Sequence, residues 1–259
     1  MKILLFDIET APMLANIWRL WSETNSMKMV DSDWYMLSWS AKWLGEKKLT
    51  TKGLPDYPTY KKKPCDDKAL CKELWALLDE ADIVVGHNAK KFDCKKVNAR
   101  FLIHGIKPPS PYKVVDTLLA ARSQFAFSSN KLDDLGDVLG LGRKVEHEGF
   151  ELWRKCMNGE KKAWKTMLKY NEQDVVLLEA VYLRLLPYIK NHPNVNVNLD
   201  QTREKCGGCG STHLVNRGYA YTNTSKFQRY VCKDCGKWGR GRKNMLDKDY
   251  RKNIQANIV

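Results

Sequence analysis

A chain of 259 residues with 43% hydrophobic and 10% aromatic content carries enough apolar material for one full α/β core and an accessory unit, which excludes a disordered polypeptide. No run approaches eighteen consecutive apolar residues, so no membrane-spanning helix is expected. The net charge of +14 is uneven: residues 201–259 hold 13 of the 44 Lys and Arg but only 4 of the 30 Asp and Glu, the footprint of a segment that binds polyanions.

In chain order, Lys2 to Asp7 reads as a buried first strand. Ile3-Leu4-Leu5-Phe6 runs into acids without a small-residue cleavage site, so no signal peptide is expected and a cytoplasmic location is. Several of the nine tryptophans fall between Trp18 and Trp43, where core packing is the expectation and a base-stacking surface the alternative. Trp34 to Trp43 reads as a second strand, with Lys47 to Lys52 pairing back across Gly45-Glu46. Lys52 to Asp67, rich in Pro, Tyr and Lys, reads as a loop or lid. Ala69 to Glu80 is an amphipathic helix with Leu70, Leu74, Leu77 and Leu78 on one face. The strand Ile83–Gly86, the helix Phe92–His104, the strand Val114–Asp116 and the helix Lys131–Leu139 follow. Trp164 to Leu186 is a long helix stopped by Pro187. Strands alternating with helices predict an α/β architecture with a central sheet. The Asn-rich stretch His192 to Lys205 reads as a linker. Cys65, Cys71, Cys94 and Cys156 show no partnered spacing and are expected as reduced, mostly buried thiols.

Four carboxylates stand out. Asp7 and Glu9 lie two apart at a strand end, which places them on one face of the sheet. Two carboxylates there repel unless a cation lies between them. Asp93 opens a helix just after His87 and Asn88. Tyr170 and Asp174, four apart in the long helix, share one face, and Val175 to Leu178 puts Asp174 close to the buried side. A buried carboxylate is costly, and a bound metal is one way to satisfy it.

These motifs, Asp7-x-Glu9, Asn88 followed by Phe92-Asp93, and Tyr170-x3-Asp174, resemble those of the DEDD superfamily of 3′–5′ exonucleases, in its tyrosine-containing branch. The resemblance spans about residues 1–190 and is to stand-alone enzymes of phage and bacterial type. It implies a ribonuclease H-like fold, a mixed central sheet flanked by helices. It also implies two Mg²⁺ or Mn²⁺ ions about 4 Å apart. Asp7 would bridge them, Glu9 and Asp174 would complete the nucleophile-side ion, and Asp93 would hold the second partly through water. Tyr170 would orient the attacking water, and as a phenol it keeps its proton at neutral pH. Asn88 would steady the motif or contact the terminal nucleotide, with a simple turn-forming asparagine as the alternative. Asp116 is a candidate neighbour of the site, and His87 reads as a structural histidine.

Cys206-x2-Cys209 and Cys232-x2-Cys235 are matched knuckles whose four thiolates suit one tetrahedral, structural Zn²⁺. The symmetry of the knuckles argues against His213 as a ligand. The module resembles a zinc ribbon, and Arg217, Tyr219, Lys226, Arg229, Trp238, Arg240 and Arg242 interleave cationic and aromatic groups suited to nucleic acid. Protein docking on the ribbon is the alternative. The expected organisation is an exonuclease domain over 1–190, a linker over 191–204, a zinc ribbon over 205–243 and a basic tail over 244–259. The expected activity is 3′–5′ hydrolysis of single-stranded nucleic acid, DNA above RNA, by a monomer with no membrane partner. A structure-specific endonuclease and a catalytically silent binding protein are the competing readings.

Overall fold

The computed structural model describes residues 1–19, 26–198 and 203–256. Strand β1 (Ile3–Thr10) leads through a two-stranded flap, β2 (Leu14–Ala15) and β3 (Val30–Ser32), to the hairpin β4 (Met36–Trp43) and β5 (Leu49–Gly53). Helix α1 (Lys68–Glu80), strand β6 (Ile83–Gly86), helix α2 (Asp93–Ile103) and strand β7 (Lys113–Asp116) follow. Helices α3 (Thr117–Gln124), α4 (Leu132–Val138), α5 (Phe150–Met157) and α6 (Lys161–Leu185) come next.

The five-stranded sheet runs β5-β4-β1-β6-β7. Pairing is antiparallel for β5-β4-β1 and parallel for β1-β6-β7. Parallel neighbours need a crossover, and α1 and α2 occupy the chain before and after β6. The mixed central sheet with flanking helices is therefore the α/β class the sequence predicts.

Alternation along β1 sorts its two faces. Leu4, Phe6 and Ile8 are buried, whereas Asp7 and Glu9 are half-buried. Leu70, Leu74 and Leu78, at helical spacing on α1, are buried in the same core cluster as Trp39 and Phe101, each leucine contributing about 2 kcal/mol. The Trp39 indole N–H donates to the Leu70 carbonyl at 3.1 Å.

Lys52 to Asp67, expected as a loop or lid, begins as the end of β5 and continues through two 3-10 turns, Leu54–Asp56 and Pro58–Lys61, and it is not a free lid. Leu54 is buried, and the Tyr60 hydroxyl accepts from the Trp164 indole at 2.9 Å. At the end of that loop Asp67 is fully buried, and Arg100 donates to both of its oxygens at 2.6 and 2.7 Å. His104 Nε2 and the Met36 N–H complete its partners. Asp67, Cys71 and His104 lie close enough to share an ion, yet both Asp67 oxygens are committed to Arg100, so Asp67 and Arg100 form a buried ion-pair lock.

Tryptophan divides between the two readings. Trp39 is core, but Trp18 beside the β2–β3 flap is 96% exposed because two strands cannot enclose an indole. Trp21 lies outside the described residues. Cys71, Cys94 and Cys156 are buried free thiols, and Cys65 is an exposed one.

The chain separates into two compact units, Lys2–Tyr182 and Leu183–Val259. The second holds a three-stranded antiparallel sheet, β8 (Leu214–Thr222), β9 (Ser225–Cys232) and β10 (Trp238–Asn244), in the order β10-β9-β8, and a short helix α7 (Lys248–Lys252). In the stretch read as a linker, Val195 is buried and its N–H donates to Gly207 O at 3.0 Å. No helix among the described residues is long and apolar enough to cross a membrane.

Candidate active site

Strand β1 and helix α6 bring the first and third motifs together. Oxygens of Asp7, Glu9 and Asp174 all lie within 4.8 Å of one another. Across the ladder Asp7 pairs with Ser40 and Glu9 with Ser38, so this sheet face stays polar. The buried stripe of α6 is apolar at Met167, Val175 and Leu178 and interrupted by Asn171 and Asp174. Asn171 Nδ2 donates to Asp7 Oδ2 at 2.7 Å, while its Oδ1 accepts from the Ser38 hydroxyl at 3.0 Å. Asn171 had no role in the sequence reading, although its place three residues before Asp174 marks it for the same helix face.

Asp93 supplies the fourth carboxylate. It is the first residue of α2 but not its cap, which is Phe92. Its Oδ1 accepts from the Ile8 N–H at 3.3 Å, tying the helix start to β1. Asp93 stands outside the set of three, yet its charge acts on Asp7.

The electrostatics are those of an anion cluster short of positive charge. Burial, followed by the charges of Asp93, Glu9 and Asp174, holds Asp7 well above the usual carboxylate range. Burial and then Asp174 push Glu9 up to about 8, and burial pushes Asp93 up to about 7. Burial raises Asp174 too, against the pull of Lys144 and Tyr170. Lys144 Nζ donates to Asp174 Oδ2 at 2.5 Å and to the Tyr170 hydroxyl at 3.0 Å. Burial disfavours its charge, but Asp174 and Tyr170 outweigh that and hold Lys144 above an ordinary lysine. Lys144 lies in an irregular segment, so no periodicity pointed to it.

The carboxylates fit divalent cations. Asp174 Oδ1 is buried and has no hydrogen-bond partner among the described residues, and a hard oxygen donor set of this kind suits Mg²⁺ or Mn²⁺.

Tyr170 is buried, and burial with the charge of Asp174 lifts its phenol above the ordinary value. His147 and Trp153 pack edge-on against it, with ring centroids 4.6 and 6.1 Å away. The Trp153 indole also favours the ionised form of Glu9, against the rise from burial. It sits on α5, unforeseen although Leu152, Trp153, Cys156 and Met157 follow helical spacing.

Asn88 is the one non-glycine residue of positive φ (+68°) among those described, a conformation asparagine tolerates. Asp116 clamps this turn by accepting the N–H groups of Asn88 and Lys90 at 3.0 and 3.1 Å, and it caps α3. Asp116 thus acts on the second motif through the backbone. His87 is structural: its ring bonds Thr117 and the Asn130 carbonyl, and burial lowers it to about 4.

In the C-terminal unit the sulfurs of Cys206, Cys209, Cys232 and Cys235 lie within 4.8 Å of one another, with two pairs at 3.6 Å. That separation is too long for a disulfide and close to the ~3.8 Å that tetrahedral 2.3 Å zinc–sulfur bonds require. The two knuckles repeat one turn. Gly210 N–H bonds Cys206 O and Gly236 N–H bonds Cys232 O, and both glycines have φ near +75° (78° and 75°). The four-cysteine cluster suggests structural zinc. His213 is exposed and paired with Asp234, outside the cluster.

The interleaved ribbon residues divide between two sheet faces. Trp238 and Arg240 pair with Val231 and Arg229 on one face, where Arg229 lies over Trp238 and Arg240 over Phe227. Tyr219 and Tyr221 pair with Gln228 and Lys226 on the other, with Lys226 over Tyr219 at 3.9 Å. Arg217 lies at the irregularity in β8, where its carbonyl accepts from Arg229. Arg242 is exposed on β10.

A family model described as the RNase_H superfamily matches residues 44–186, a span that includes Asp93, Lys144, Tyr170 and Asp174 and begins after Asp7 and Glu9. Among solved structures, the chain is similar to the family B DNA polymerase from the hyperthermophilic archaeon Pyrobaculum calidifontis. The TM-score is 0.51 at 15% identity over 72% of this chain and 24% of that chain. Such a likeness establishes a shared fold, and the chain spans about a quarter of the polymerase. No curated protein matches in sequence.

Proposed function

The chain belongs to the RNase_H superfamily, and from that premise we propose that it is a metal-dependent 3′–5′ exonuclease of single-stranded nucleic acid, DNA in preference to RNA, releasing nucleoside 5′-monophosphates. The observation that carries this reading is Asp174 Oδ1, buried without a hydrogen-bond partner among the described residues beside the oxygens of Asp7 and Glu9. A cluster of this kind destabilises the protein unless something cationic completes it. End-directed cleavage rests on the three motifs that resemble the tyrosine-containing DEDD enzymes.

Asp7, Glu9, Asp93 and Asp174 would hold two Mg²⁺ or Mn²⁺ ions, which when bound supply charge neutralisation and an activated water for in-line phosphodiester hydrolysis. Asn171 fixes the Asp7 carboxylate. Tyr170 keeps its proton, so its hydroxyl orients the attacking water and does not deprotonate it. Lys144 sets a positive charge beside the position where phosphate oxygens add negative charge. Asn88 faces the terminal nucleotide in this reading. Residues 1–190 carry the catalysis, and a zinc ribbon over 205–243, tethered by 191–204 and followed by a basic tail, adds affinity for the strand.

The test is a 5′-labelled single strand of DNA or RNA incubated with Mg²⁺ or Mn²⁺, beside Asp174→Ala. A metal-dependent ladder shortening from the 3′ end, absent in the variant, is the expected result. Cleavage of circular single strands would replace the exonuclease by an endonuclease, and binding without cleavage of any substrate would remove the catalytic reading.

A further inference from the structure

Strand β10 carries Trp238-Gly239-Arg240-Gly241-Arg242, and its alternation sets Trp238, Arg240 and Arg242 on one face and the two glycines on the other. Gly239 pairs with Tyr230 across the ladder. Neither glycine is demanded by the fold, since neither has a positive φ. A Cβ at Gly239 would meet nothing within 4 Å, and one at Gly241 would touch the Tyr230 ring at an ordinary 3.6 Å. Glycine inside a strand weakens it, and where packing does not require it, it marks a bulge, as the register irregularity after Arg240 allows at Gly241, or the close approach of a ligand or another backbone, the reading open to Gly239.

A groove of about 590 Å³ follows the edge of β10, lined by residues of both its faces, Trp238, Arg240 and Arg242 as well as Tyr230, Gly239 and Gly241. Among the described lining residues there are six lysines and arginines against one acid, Glu204, which accepts from the Tyr230 hydroxyl at 3.1 Å. Lys237 is committed to the carbonyls of Leu186 and Ile189, and Arg240 lies over Phe227. Arg203, Arg242 and Lys243 are exposed along the groove.

Because β10 is an edge strand, a docking peptide strand is the competing occupant. The register irregularity between Arg240 and Asn244 and the row of cations along the edge both oppose strand addition. Two strand glycines that leave room beside the backbone, flanking cations and an aromatic ring instead match a chain of phosphates with unpaired bases. We propose that this groove binds the sugar–phosphate backbone of single-stranded nucleic acid, with the phosphates against Arg203, Arg242 and Lys243 and a base against Tyr230. The choice of nucleic acid among polyanions rests on the nuclease reading above.

Binding is measured with the full chain, zinc loaded, and a fluorescent oligothymidylate without Mg²⁺ or Mn²⁺, so that nothing is cleaved. Gly239→Val with Gly241→Val fills the groove without changing charge. The expected result is a Kd raised about tenfold, as for loss of one stacked base, with zinc content equal to that of the unaltered chain. An unchanged Kd with zinc retained would overturn the proposal, as would equal displacement of the oligonucleotide by polyglutamate. If the valine variant loses its zinc, Arg242→Gln with Lys243→Gln is expected to flatten the slope of log Kd against log salt by about 1.4, two phosphate contacts on a single strand; an unaltered slope would overturn it. Cleavage of the same strand with Mg²⁺ is scored separately. Groove-dependent binding without cleavage removes the exonuclease and leaves the groove, and cleavage with groove-independent binding does the reverse.

Discussion

The Asn171 amide reaches 2.7 Å from Asp7 Oδ2 and so joins helix α6 to strand β1 across 164 residues of chain. Asn171 is fully buried, and its other end is held by Ser38, so the orientation of the Asp7 carboxylate is set by a neutral neighbour. Removing a partner of this kind costs about 10- to 100-fold in metal affinity or activity. Asn171→Ala should lower cleavage by that order and raise the Mg²⁺ concentration needed for half-maximal rate. An unchanged metal requirement would show that Asp7 holds its position unaided.

The raised carboxyls make stability fall with pH in the metal-free protein. Glu9 moves from an ordinary 4.5 to about 8 and Asp93 from 3.8 to about 7. Between about pH 4 and 8 the folded chain therefore holds protons that the unfolded chain has released, and stability decreases as pH rises through that window. Mg²⁺ should remove most of this decline by stabilising the ionised forms. Thermal midpoints from pH 5 to 8.5, with and without Mg²⁺, test this; a midpoint that rises with pH in the metal-free protein contradicts the assignment.

Lys144 is the one cation bonded to Asp174 among the described residues. Lys144→Met leaves a buried carboxylate without its counter-charge, a loss of about 3 kcal/mol in the metal-free protein. Divalent cation should recover much of it. Denaturant unfolding with and without Mg²⁺ measures both, and equal losses in the two conditions would mean that Lys144 contributes packing and not charge.

One zinc per chain is expected, released by Cys232→Ser. The knuckle turns and the strands β8 to β10 should then lose amide-exchange protection, because their residues are mostly half-buried or exposed and form no large apolar core. Protection of β1 and α6 should stay. Retained protection across β8 to β10 without metal would show that the sheet stands by its own packing.

Local periodicity made part of this protein legible in advance. A period of two sets Asp7 and Glu9 on one face of a strand, and a spacing of four sets Tyr170 and Asp174 on one face of a helix. Each Cys-x2-Cys turn sets two sulfurs side by side, since it needs only four residues and a glycine, and two matched turns are the sequence pattern of a four-cysteine site. The α/β class follows from the same short-range patterns. The tertiary structure alone decided which neighbours complete the site. Lys144 meets Asp174 from 30 residues away, Asn171 meets Asp7 from 164, and Asp116 holds Asn88 from 28. Backbone geometry propagates over a few residues, whereas these contacts exist only after sheet order and helix packing have closed loops far longer than any periodic signal.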